Sequence, residues 1–112
     1  MKMHRDLGYG ESPNAVAILN NWGLACMGSG SVPRALEIQE EVLRIATRRK
    51  PGGSPPPYAV CNHAHSLWLL GRYDEAWTEA ERAWRIADQS GAAPFKISAR
   101  VIQTSILRER GD

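Results

Sequence analysis

Gly71 lies 41 residues after Gly30, and the same interval pairs Asn21 with Asn62, Ala35 with Ala76 and Glu40 with Glu81. It also sets Arg44-Ile45-Ala46 over Arg85-Ile86-Ala87, three identities in register. Gly23 with Ala64 and Leu43 with Trp84 extend the match as conservative pairs. Self-similarity at a fixed period marks a repeat architecture, in which each repeat is one supersecondary element that cannot bury its apolar face alone. A chain of 112 residues has room for two such repeats and part of a third, and none for a multidomain enzyme.

Each repeat reads as two helices joined by a tight turn. Ser12 and Pro13 offer an N-cap and a first-turn proline, and Ala15, Ile18, Leu19, Trp22 and Cys26 follow at helical spacing. Gly28-Ser29-Gly30-Ser31 ends that helix, and Val32-Pro33 opens the next, whose buried stripe is Leu36, Val42, Leu43 and Ile45. Glu37/Glu41 and Glu40/Arg44 are placed on its outer side, with Arg48, Arg49 and Lys50 complementing its C-terminal dipole. Pro51-Gly52-Gly53-Ser54-Pro55-Pro56-Pro57 is a non-helical connector. The spacing predicts five helices near 13–27, 33–48, 57–70, 73–89 and 93–110, an all-α chain with an N-terminal extension over 1–12. The first repeat spans about 13–50, the second about 57–90, and 93–110 reads as the first helix of a third.

Hydrophobic residues at 43% and charged residues at 23% are ordinary for a soluble globular chain. A net charge of +2 is too small to imply a nucleic-acid or membrane partner. Cys26 and Cys61 lie in apolar helical runs and read as reduced core thiols. No apolar run reaches the roughly 18 residues of a membrane span. Residues Met1 to Asp6 lack the apolar stretch of a signal peptide, so a cytoplasmic location is expected.

Leu70-Gly71-Arg72-Tyr73-Asp74-Glu75-Ala76, followed by Ala80 and Ala83, resembles the turn and second helix of a tetratricopeptide repeat. Trp22-Gly23, Gly30 and Ala35 resemble the same pattern in the first repeat. The interval is longer than that family's usual 34 or so. Asn20-Asn21-Trp22-Gly23-Leu24-Ala25 and the proline-rich connector are similar to its long-period, kinesin-light-chain-like branch. Val42 and His63 depart from it, standing where the family prefers Ala and Leu. The resemblance implies antiparallel helix pairs stacked as a right-handed superhelix, with the first helix of each pair lining a concave groove.

Several constellations imitate chemistry without completing it. His4-Arg5-Asp6-Leu7 resembles a kinase catalytic loop, but Glu11 stands where that loop needs Asn. Gly28-Ser29-Gly30-Ser31 lacks the Lys-Ser/Thr of a phosphate loop and follows a helix. Cys61 and His65, four apart, share a helix face, yet His63 points elsewhere and no third metal ligand is evident. Arg44, Arg48, Arg49 and Lys50 cluster at a helix end without the interleaved aromatics of a nucleic-acid face. No catalytic residues, cofactor or metal are expected.

The family's arrangement puts Asn20, Asn21, Leu24 and Met27 in the groove of the first repeat. Cys61, Asn62, His65 and Trp68 line it in the second, and Ser98, Ile102 and Ser105 in the third. The recurring Asn21/Asn62 amides either meet the backbone of an extended peptide or tie neighbouring helices together. Repeats of this family that clamp acidic chaperone tails project Lys and Arg into the groove, and residues 14–27 contain neither. The expected function is a protein-interaction scaffold whose groove takes a peptide or partner helix. The alternative is a homo-association or stacking segment of a longer solenoid. Phe95, Ala99, Ile102 and Ile106 share one face of the last helix, and Ile97, Val101 and Leu107 widen its apolar surface. With Gly111-Asp112 where the next turn would begin, a homodimer is expected, with Ile102 and Leu107 among its buried contacts.

Overall fold

A computed structural model describes residues 13–111, with side chains from Val16 onward. They form five helices: α1 (Pro13–Gly28), α2 (Val32–Arg49), α3 (Pro57–Leu69), α4 (Tyr73–Ser90) and α5 (Ala93–Arg110). Among the described residues there is no strand and no helix long and apolar enough to cross a membrane. The kinase-like His4-Arg5-Asp6 and the capping Ser12 lie outside the described residues. Pro33, Pro57 and Pro94 each fall in a first helical turn, where the fixed φ suits the helix and the missing N–H has no intrahelical partner to lose.

The 41-residue interval is a property of the backbone as well as of the sequence. At the first turn the N–H of Ser31 donates to the Cys26 carbonyl at 2.8 Å, and at the second Arg72 donates to Leu67 at 2.9 Å. Gly30 donates to Met27 at 3.2 Å, and Gly71 to Trp68 at 2.9 Å. Both bonds require the glycine to turn back in the left-handed region, with φ of 90° at Gly30 and 79° at Gly71, which only glycine adopts without strain. The helices after these turns end on matched bonds too, Lys50 to Ala46 and Gly91 to Ala87.

The helices divide between two compact units, one ending at Pro55 and the other beginning at Pro56. In the first, α1 packs on α2. Gly23 permits the approach: a Cβ there would lie 3.4 Å from Cγ of Gln39 and from Cγ2 of Ile38. Contact over Gly23 turns Val16, Leu19 and Cys26 inward. It leaves Ile18 49% and Trp22 36% exposed, which corrects the apolar face expected for α1. The Arg34 guanidinium covers the Trp22 ring at 5.8 Å. Glu41, expected on the outer side of α2, is instead buried and paired with Arg44.

In the second unit α4 packs against both α3 and α5, and α3 also touches α5. Ala76, Ala80, Ala83 and Ala87 form a fully buried stripe along α4, small enough for helices to approach closely. Val60 and Leu67 of α3, Ile86 of α4, and Ala99 and Ile106 of α5 complete this core. At seven-residue spacing, Asp74, Glu81 and Asp88 of α4 pair with Arg110, Arg100 and Lys96 of α5. The ladder suits antiparallel helices, since the acids ascend the chain as their partners descend it.

Candidate functional site

The second unit carries an open groove of about 370 Å³ between α3 and α5. Cys61, Asn62, His65 and Trp68 line it from α3, and Ser98, Ile102 and Ser105 from α5. All seven residues expected there from the second and third repeats therefore come together. Phe95, Ile97 and Val101 also line it, three residues that helical spacing alone does not assign to the groove. Their apolar character was the available signal, but the face of α5 they occupy depends on how α5 seats against α3.

Asn20, Asn21, Leu24 and Met27 all lie on α1, in the first unit. Asn21 and Leu24 are exposed there, while Asn20 and Met27 are half-buried. They are not among the residues lining the groove.

No Asp, Glu, Lys or Arg lines the groove. The His65 and Trp68 rings stack with centroids 5.7 Å apart and planes at 24°. Burial lowers the pKa of His65, favouring the neutral ring. The Cys61 thiol donates to the Phe95 carbonyl at 3.5 Å, a contact joining α3 to α5. Burial pushes its pKa up to about 11, which favours the protonated thiol. Among the described residues, no group of three or more His, Cys, Asp or Glu could hold a metal ion.

Of two neighbouring features, the first agrees with the sequence reading and the second corrects it. His63 points away from the groove toward α4, its Nδ1 donating to Glu79 Oε2 at 2.6 Å, and Arg82 reaches the same carboxylate at 3.2 Å. Ile102, expected among the contacts between two copies, is only 7% exposed because its own unit already covers it. The large apolar side chains that α5 leaves exposed are Ile97 at 67%, Val101 at 57% and Leu107 at 39%.

Comparison with protein-family models, with curated proteins and with solved structures finds no match to this chain.

Proposed function

We propose that the chain is a tetratricopeptide-type interaction module, without catalysis of its own, whose α3–α5 groove holds an uncharged, largely apolar segment of a protein partner. The supporting observation is the groove's lining: aliphatic and aromatic walls from Trp68, Ile97, Val101 and Ile102, with polar groups at Asn62, His65, Ser98 and Ser105. Apolar walls supply affinity, while a few placed polar groups set the register of a bound backbone. The repeat reading rests on the matched turns at Gly30 and Gly71, and would make the chain part of a right-handed solenoid. Two free cysteines fit a reducing, cytoplasmic setting.

Screening an array of extended peptides against the full chain and its Val101→Asp variant tests the groove. Val101 is 57% exposed, so the fold should tolerate the substitution. Apolar, uncharged peptides should bind the wild type and lose affinity for the variant. Equal capture by both would end the groove reading. A second reading, association of two copies through α5, draws on exposed Ile97, Val101 and Leu107, and predicts a concentration-dependent mass in light scattering.

A further inference from the structure

The two repeats fill one helix contact in different ways. At the 41-residue interval, Gly23 and Gln39 of the first unit take the places of Ala64 and Ala80 in the second. Ala64 and Ala80 are fully buried and carry no polar side-chain group. In the first unit the volume is divided unequally. A Cβ at Gly23 would lie 3.4 Å from Cγ and 3.7 Å from Nε2 of Gln39, so the glutamine side chain fills the space over the glycine. Gln39 is only 1% exposed, and neither its Oε1 nor its Nε2 has a hydrogen-bond partner among the described residues.

Both members of the Gly23–Gln39 pair weaken the hold of α2 on α1. An amide buried without partners forfeits its bonds to water and regains them when the contact opens. A glycine in a helix interior has more backbone freedom to recover than an alanine. In the second unit, by contrast, α3 packs on both α4 and α5. It is tied to each by a polar contact, His63 with Glu79 and Cys61 with the Phe95 carbonyl. We propose that α1 is a releasable strap, which lifts from α2 by local opening while the second unit stays folded. Release bares the Cys26 thiol, 8% exposed in the closed state, and the α2 face around Ile38 and Gln39.

Cys26 is placed to report this opening. Fraying from the start of α1 would begin at Pro13, whereas Cys26 lies beyond Gly23 at the other end of the helix. That end is fixed by the turn bond from the Ser31 N–H to the Cys26 carbonyl at 2.8 Å. Gln39 sets how often the contact opens, because its amide gains hydrogen bonds only in the open state. Methionine has nearly the length and flexibility of glutamine without the amide. Gln39→Met therefore isolates the amide's effect without leaving a large cavity.

The test treats the full chain with a thiol-alkylating reagent in native buffer, dilute enough that opening stays at equilibrium, and follows each cysteine by mass spectrometry. Cys26 should be modified with a weaker urea dependence than Cys61, as local opening exposes less surface than global unfolding. Gln39→Met should slow Cys26 modification by about tenfold, through the amide's lost gain on opening. Gln39→Glu, which buries a charge at the same place, should speed it. The Cys61 rate should be the same in all three chains. Hydrogen exchange of the α1 amides should follow the order of the Cys26 rates. Equal urea dependence at the two cysteines would make the opening global and overturn the proposal. So would a Cys26 rate that Gln39→Met leaves unchanged or raises. Circular dichroism checks that each variant folds, and Gln39→Met decides the matter alone if Gln39→Glu does not.

Discussion

His63 Nδ1 lies 2.6 Å from Glu79 Oε2, tying α3 to α4 through a pair whose side chains are only 14% and 12% exposed. Burial alone would raise the Glu79 pKa, but the hydrogen bond and charge of His63, with Arg82 adding to both, outweigh it and hold the carboxyl below its ordinary value of 4.5. A carboxylate with a depressed folded pKa contributes stability that is present above its unfolded pKa and lost as pH falls through the folded one. Stability should therefore fall below about pH 4.5 partly through this residue. Glu79→Gln should reduce that dependence and cost about 1.5–3 kcal/mol near neutral pH. Urea unfolding across a pH series checks both, and an unchanged acid limb would remove the pair from the account.

Ala76→Leu tests the alanine stripe of α4. Ala76 is completely buried, so added carbons must displace packed helices, at a cost of about 1–3 kcal/mol. Chemical denaturation of the variant should show the lower midpoint. Unchanged stability would mean that α4 does not need small residues there.

The α4–α5 contact separates a buried polar group from exposed ion pairs. The Gln103 side chain is 4% exposed, donates to Glu81 Oε1 at 3.0 Å and to the Trp77 carbonyl at 3.4 Å, and accepts from Arg100. These bonds from Gln103 and Arg100 lower the Glu81 pKa. Arg100 itself is nearly half exposed and screened by solvent. Gln103→Ala should cost about 1–3 kcal/mol, against about 0.2–1 kcal/mol for Arg100→Ala. Thermal unfolding of the two variants side by side should give that order, and the reverse would place the stabilisation in the surface ladder.

At the groove, Asn62→Ala should weaken a bound peptide by about 0.5–1.5 kcal/mol for one lost hydrogen bond while leaving the chain folded. Calorimetric titration against a peptide selected on the array reads the affinity, and circular dichroism reads the fold. Equal affinity in the Asn21→Ala/Asn62→Ala double variant would remove the amides from recognition. Unfolding of the single variant would make Asn62 a helix tie.

Cys61 should resist a thiol-alkylating reagent at about pH 8 in the native chain, because its raised pKa leaves little thiolate and burial denies access. In denaturant, both Cys61 and Cys26 should react, as mass spectrometry can follow. Rapid native labelling of Cys61 would show that the α3–α5 contact opens readily.

Much of the site was legible because local rules place it. Cys61, Asn62, His65 and Trp68 fall at spacings that put them along one side of a helix, and Ser98, Ile102 and Ser105 do the same on another. Phe95, Ile97 and Val101 were visible as apolar residues but not as groove walls, since that depends on the rotation of α5 against α3. Glu41 shows the same limit: a Glu four residues from another on an amphipathic helix reads as solvent-facing until its neighbours are known.

The sequence by itself determined where helices begin and end and that the pattern recurs. Prolines in first turns and glycines at left-handed positions act within a few residues, so Pro33, Pro57, Pro94, Gly30 and Gly71 place their boundaries without reference to the rest of the chain. Tertiary structure alone decided which face each helix buries. On α1, both Ile18–Trp22 and Leu19–Gly23–Cys26 are plausible inner stripes, about one residue's rotation apart. Close approach at Gly23 selects the second. The ladder of Asp74, Glu81 and Asp88 with Arg110, Arg100 and Lys96 likewise exists only once α4 and α5 lie antiparallel in one register. Helix ends follow from bonds within the chain's own neighbourhood, whereas the choice of buried face is a contest between distant surfaces that only packing resolves.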